Sequence, residues 1–152
     1  MNAQCRIETR PAQSTVAVRT RTPVSAMAAV IGPIYGRIMA YVGEMGAATT
    51  GAPFVAYYNM DMADLDIEVG FSVDRTLPGR GDLSSGALPA GDYATCMHIG
   101  PYDQVGPAYA ALTAFVQQQG RTPTGVAYEF YFNSPQDTPP EQLQTLVMFP
   151  LV

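Results

Sequence analysis

Glu129 is the side chain of this sequence best placed to do chemistry. It stands at the centre of Gly125-Val126-Ala127-Tyr128-Glu129-Phe130-Tyr131-Phe132-Asn133, a run otherwise apolar, aromatic or small. An extended chain sends successive side chains to opposite faces, so Val126, Tyr128, Phe130 and Phe132 share one face and Ala127, Glu129, Tyr131 and Asn133 the other. A carboxylate among aromatic rings is costly to desolvate unless something positive or protic meets it, which reads as a buried anionic recognition point. The same alternation also describes a half-exposed strand with Glu129 in water. A carboxylate beside a tyrosine also suits a second chemistry, with Glu129 as general base or nucleophile and Tyr131 as its acid partner.

Other reactive residue types offer less. His98 is the lone histidine and precedes Gly100-Pro101 at a strand end, which favours a structural role over catalysis or metal ligation. No Ser-His-Asp pattern or nucleophile elbow accompanies it. Cys5 and Cys96 show no CxxC or Cys/His ligand spacing and read as two reduced thiols, buried or half-buried. Asp61, Asp64, Asp66 and Glu68 cluster across an expected hairpin, where solvation is favoured over metal binding; a pocket role for Glu68 stays open. Arg19 and Arg21 alternate on one strand face and read as solvated charges rather than a phosphate site. No metal site and no cofactor are expected.

Composition narrows the function classes. The 152 residues suit one domain with a real core. Only 14% are charged, against about 25% in ordinary soluble domains, so a surface or cavity must accept many uncharged side chains. Net charge is −5, with eight Arg and no Lys, which argues against direct nucleic-acid binding. The N-terminal Met1-Asn2-Ala3-Gln4-Cys5-Arg6-Ile7-Glu8 has acid and base where a leader needs an apolar run, giving a cytoplasmic expectation. The most apolar window, Val24 to Val42, is interrupted by Gly32-Pro33, Gly36 and Arg37. It reads as strand end, turn and amphipathic helix, not as a membrane span.

The elements that must position Glu129 are written twice. Ile31-Gly32-Pro33-Ile34 returns as Ile99-Gly100-Pro101-Tyr102 at an offset of 68, and Tyr57-Tyr58-Asn59 returns as Tyr131-Phe132-Asn133 at an offset of 74. Ile34, Ile38, Tyr41, Val42 and Met45 fall at helical spacing, as do Val105, Tyr109, Leu112, Phe115 and Val116. Strand patterns cover 15–20, 54–58 and 66–73 in one half and 92–98, 126–132 and 143–151 in the other. The Gly/Pro-rich stretch 74–90 links the halves, with room for one more strand. The expectation is a single α+β domain over 1–152 made of two pseudo-symmetric β-α-β-β repeats, about 5–74 and 87–152. They would form antiparallel sheet with helices on one side and a groove between the halves. Tyr57 and Tyr131 are expected to wall that groove, Phe71 to face core or pocket, and Glu129, whose counterpart is Val55, to be its one unmatched charge.

Pro11-Ala12-Gln13, Leu88-Pro89-Ala90-Gly91-Asp92-Tyr93, His98-Ile99-Gly100-Pro101-Tyr102 and Tyr128-Glu129-Phe130-Tyr131 together resemble the GyrI-like, or bacterial regulator effector-binding, domain family, related to the SOUL haem-binding fold. The resemblance spans nearly the whole length. It implies that Glu129 and Tyr131 lie in a drug-binding pocket, and that the chain is a standalone sensor, since family regulators carry a helix-turn-helix ahead of this domain. It also admits hydrolysis of strained electrophilic small molecules by Glu129 and Tyr131, as some standalone members do, or binding of a protein such as gyrase. Haem is disfavoured by the lone His and the missing CxxCH.

The function expected is binding of lipophilic, cationic aromatic compounds for multidrug sensing or sequestration, with Glu129, Tyr131, Tyr57 and Phe71 as ligand contacts. Cation–π contacts of about 0.5–2 kcal/mol each and apolar burial at about 25 cal/mol per Å² allow micromolar affinity, about −8 kcal/mol. Eight Met residues add shape tolerance, although Met39 and Met45 read as helix core. Partners are thus a small hydrophobic or cationic ligand, no nucleic acid and no membrane, with a protein partner left open.

Overall fold

The computed structural model describes residues 4–152; Met1-Asn2-Ala3 of the N-terminal octet lie outside the described residues. Strands are β1 (Cys5–Arg10), β2 (Gln13–Thr22), β3 (Phe54–Tyr57), β4 (Leu65–Ser72), β5 (Ser84–Leu88), β6 (Gly91–Ile99), β7 (Ala127–Tyr131) and β8 (Gln144–Pro150), with helices α1 (Met27–Glu44) and α2 (Gly106–Gln118). Strands within each unit pair antiparallel, giving the α+β class expected.

Two compact units divide the described residues, 11–90 and 4–10 with 91–152. In the first the strands run β3-β4-β2-β5, and in the second β7-β8-β6-β1. The two orders match strand for strand, so each unit is the expected β-α-β-β repeat plus one flanking strand. β5 is the additional strand anticipated in the linker. β1 falls outside the first repeat, contrary to the expected 5–74 boundary: its six residues pair with β6 from Cys5↔Cys96 to Arg10↔Gly91. Alternating side chains define a strand's two faces but not its partner, so the pattern alone misplaces that boundary.

Each helix lays one apolar stripe on its own sheet. Ile34, Ile38, Tyr41 and Val42 of α1 are buried, and α1 packs on β4 and β2. Ala108, Leu112 and Val116 of α2, the repeat counterparts of Ile34, Ile38 and Val42, are buried as well and pack with Ala94, Cys96 and Val147. Both helices stop at a left-handed glycine, Gly46 (φ 65°) and its counterpart Gly120 (φ 67°). The Gly32-Pro33 and Gly100-Pro101 match, at its different offset, is a coincidence of sequence. Gly32-Pro33 lies inside α1, whereas Gly100-Pro101 forms the turn before a 3-10 segment, Tyr102–Gln104, that leads into α2.

α1 therefore continues through the segment expected to break it. Val24–Glu44 is 21 residues, a helix long and apolar enough to cross a membrane. Its apolar stripe is nevertheless spent on β4 and β2, and it carries Arg37 hydrogen-bonded to Asp82 and Glu44 paired with Arg80 at 2.5 Å. Met39 is exposed on it rather than part of the core, while Met45 at its C-cap is half-buried.

The repeated asparagines explain part of the second internal match. Asn59 Oδ1 accepts from Asp66 N–H at 2.9 Å and Asn59 Nδ2 donates to Asp64 C=O. Asn133 Oδ1 accepts from Gln144 N–H at 2.9 Å and Asn133 Nδ2 donates to Gln142 C=O. Each side chain thus stitches the turn that carries the chain from the second to the third strand of its repeat.

Candidate functional site

β7 is covered on both faces, so the half-exposed alternative for Glu129 fails. Glu129 is only 9% exposed. On the opposite face Tyr128 meets Tyr93 edge-on (6.4 Å) and stacks with Phe130 (6.4 Å). Glu129 accepts two phenolic hydrogen bonds, from Tyr131 Oη at 2.9 Å and from Tyr109 Oη at 2.5 Å. Tyr131 comes from the same strand two positions on, as its face requires, and Tyr109 comes from α2 packed above. Burial holds the carboxyl above its ordinary pKa. The two phenols, and more weakly His98, pull in the opposite direction without cancelling it.

Helical spacing marks Tyr109 only as a core position and does not assign it to the site. The repeat contains the missing signal: Tyr35 stands at the same place on α1, at the common offset of 74. Tyr35 lies edge-on to Phe71 (5.3 Å) just as Tyr109 is tilted against Phe149 (5.8 Å). Only the hydroxyl's partner differs. Position 55 is Val, so Tyr35 donates to the backbone carbonyl of Phe54 at 2.9 Å, whereas Tyr109 donates to Glu129. The second unit has a carboxylate where the first has an aliphatic side chain, and the tyrosine of its helix turns to it.

Two further groups complete the surroundings. Tyr102 stands edge-on to Tyr131 with ring centroids 5.5 Å apart and is 39% exposed, giving the Glu129–Tyr131 pair an aromatic neighbour that reaches solvent. His98 is held by Pro101 C=O at 2.9 Å; a carbonyl only accepts, so Nε2 carries the proton. The structural role read for His98 is therefore present, and its ring also acts electrostatically on Glu129.

Tyr57 and Phe71, expected as ligand contacts, lie in the other unit. Both are buried; Tyr57 Oη donates to Met27 Sδ at 3.7 Å, and Phe71 packs on Tyr35. The structure thus joins Glu129 with Tyr131 and adds Tyr109, while Tyr57 and Phe71 make contacts within their own unit.

The remaining charged candidates are paired. Arg19 makes two hydrogen bonds to Asp66, at 2.6 and 2.8 Å, and lies over the Tyr58 ring at 3.8 Å. Arg21 reaches Asp64 at 2.9 Å. Tyr58 Oη donates to Glu68 at 2.7 Å. Arg19 and Arg21 therefore neutralise Asp66 and Asp64, while Glu68 is held by a phenol and Asp61 accepts from Ala63 N–H. Cys5 and Cys96 face each other across β1 and β6, half-buried and buried, and burial beside Cys5 pushes the Cys96 thiol up to about 12. Among the described residues no group of three or more His, Cys, Asp or Glu could hold a metal ion.

The profile of the GyrI-like small molecule binding domain matches residues 3–152. The chain belongs to that family. Solved structures agree on the fold of this GyrI-like domain. The crystal structure of the EcmrR C-terminal domain aligns at TM-score 0.89 and 23% identity, over 100% of this chain and 99% of that one. EcmrR in its DNA complex aligns at 0.86 and 23%, over 98% of this chain, which spans only 57% of the EcmrR chain. A hydrolase from Listeria innocua aligns at 0.72 and 15%, over 98% of this chain and 92% of that one. SAV2435, solved bound to tetraphenylphosphonium, aligns at 0.62 and 13%, over 100% and 94%. No curated protein matches the chain.

Proposed function

We infer that this GyrI-like domain binds lipophilic cations, with Glu129 as counter-charge and Tyr131, Tyr109 and Tyr102 as its aromatic surroundings. The observation that carries the reading is a carboxylate buried to 9% exposure that accepts its hydrogen bonds from two neutral phenols. Among the described residues no Arg is one of the groups acting on it, and His98 acts only weakly. A buried acid without a strong compensating cation is a standing electrostatic demand, and an entering cation meets it while the rings face its charge. Family membership supports small-molecule binding in general, and SAV2435, a protein of the same fold, was solved with tetraphenylphosphonium.

Titration with tetraphenylphosphonium and with a neutral aromatic of similar size tests the inference. The cation is expected to bind at micromolar concentration and more tightly than the neutral compound. Glu129→Gln is expected to weaken the cation by about tenfold to hundredfold, about 1.4–2.8 kcal/mol, and to leave the neutral compound little changed. Equal affinity in the variant refutes the counter-charge. Incubating the protein with an electrophilic probe and recovering it by mass spectrometry separates binding from turnover. An intact probe fits a binder, and a hydrolysed one moves Glu129 and Tyr131 into catalytic roles.

A further inference from the structure

We propose that the Thr145 hydroxyl is a second polar contact of the Glu129 site, and that it makes the site prefer protonated amines, which carry N–H donors, over quaternary cations, which carry none. This rests on the cation-binding reading and refines it.

The strand register fixes where Thr145 stands. In β8 it sits directly opposite Tyr131 of β7 on one side and His98 of β6 on the other, and the next row on the same face is Cys96, Val147 and Glu129. Directly opposed residues in antiparallel strands share a face, so Thr145 lies diagonal to Glu129, roughly 7–8 Å away or less at Cβ. Thr145 is 1% exposed, and its Oγ1 is fully buried without a hydrogen-bond partner among the described residues. Buried hydroxyls are nearly always satisfied, so an unpartnered one beside a buried carboxylate is a group still open to a ligand.

The neighbours do not supply that partner. Tyr131 Oη donates to Glu129, and His98 Nε2–H to Pro101 C=O. Each Glu129 oxygen accepts one phenol, which leaves further acceptor sites on the carboxylate. Glu129 and Thr145 thus offer two acceptors on one face of neighbouring strands, and a single ammonium carries enough N–H donors to meet both, directly or through a water. A quaternary nitrogen satisfies the charge and leaves Thr145 as it is. Entry requires the Tyr102–Tyr131 ring pair to shift. Tyr102 belongs to a three-residue 3-10 segment and already reaches solvent.

The test is calorimetric titration at neutral pH of the full chain, Thr145→Val and Glu129→Gln with two probes on one scaffold: a benzhydryl primary amine, protonated, and its N,N,N-trimethylammonium counterpart. The chain is expected to prefer the primary amine by at least about fivefold, the scale of one net hydrogen bond. In Thr145→Val, which keeps shape and removes the hydroxyl, the preference is expected to shrink by about fivefold, to what the N–H bond to Glu129 alone supports. Thermal unfolding of that variant at or above the parent temperature shows that it is folded. If both probes bind through Glu129 but with equal affinity, or if the preference is undiminished in Thr145→Val, the Thr145 proposal is overturned and the cation reading stands. If neither probe binds, or Glu129→Gln binds both as the parent does, the cation reading falls and takes this proposal with it.

Discussion

Glu129→Gln is expected to unfold at a higher temperature than the parent protein at neutral and alkaline pH, with the difference closing in acid. Burial raises the Glu129 pKa in the folded state above its unfolded value, so the folded chain holds the proton more tightly. Stability from this group is fully present below the ordinary glutamate pKa. It is lost as pH rises through the folded value, because ionising a desolvated carboxyl costs more than ionising the same group in water. Gln cannot ionise and escapes that loss. It also keeps both phenols satisfied, since its carbonyl accepts from one and its amide donates to the other. Every tenfold tightening of the folded chain's hold on the proton corresponds to about 1.4 kcal/mol, and each kcal/mol to about 2–4 °C in a domain near this size. Thermal denaturation of both proteins from pH 4 to 9 measures it directly. A variant less stable than the parent throughout would mean that the ionised carboxylate is a net stabilising group. The opposed movement of stability and cation affinity in one substitution is what a site held ready for a ligand predicts, whereas a carboxylate kept for structure loses both.

Gly70→Ala is expected to be the most damaging single-methyl change in the unit of residues 11–90. Gly70 lies in β4 between Ala17 of β2 and Phe54 of β3. A Cβ there would stand 2.7 Å from Ala17 Cβ, 2.7 Å from Val16 carbonyl O and 2.9 Å from Phe54 Cζ. The carbonyl belongs to the paired backbone of β2, and Phe54 is fully buried, so neither moves freely. Overpacking of this kind costs about 3 kcal/mol, or a fall of roughly 6–12 °C in Tm. A fall of less than about 2 °C would show that this part of the sheet yields. The following residue is Phe71, whose contact with Tyr35 fixes the α1 end of the unit. Loss of that packing should appear in the near-ultraviolet signal of the tyrosines before the helices melt.

Most of the architecture was legible because the repeat recurs at one spacing. Helix stripes, terminating glycines and the helix tyrosines Tyr35 and Tyr109 share the offset of 74, which becomes 78 at the last strand of the repeat, where Phe71 answers to Phe149. Two stronger-looking signals misled. The matching Gly-Pro dipeptides suggested one turn in each half, yet α1 runs through Pro33, its seventh residue, where the lost backbone hydrogen bond is offset by the apolar stripe from Ile34 to Val42 packing on β4 and β2. β1 was missing from the strand patterns, its Arg6 and Glu8 weighed only against a leader, because an edge strand has only one sheet neighbour and shows little apolar pattern. The site was half legible. Glu129 and Tyr131 follow from strand alternation, although alternation alone leaves Glu129 equally at home in water. Its burial comes from Tyr109 and α2 above it, a tertiary fact. Tyr109 could have been found by carrying the repeat spacing back to Tyr35. Thr145 could not: its meaning lies in the register of three strands and in a bond it does not make, and neither has a signature along the chain.

A charged Glu129 must meet a positive ligand, and the most direct measurement is the affinity of tetraphenylphosphonium, whose charge does not titrate, as a function of pH in the parent and in Glu129→Gln. The titratable groups around the carboxyl are Tyr109 from α2, Tyr131 from its own strand, His98 from β6, and Tyr102 with Asp137 beyond Tyr131. Glu129→Gln retains all of these, so the difference between the two curves isolates the one carboxyl. The expected result is an affinity that tightens as pH rises above the ordinary glutamate range and then levels off, with Glu129→Gln weaker and lacking that rise. Parallel curves, or a parent affinity that does not change with pH while the variant binds equally well, would contradict a counter-charge at Glu129.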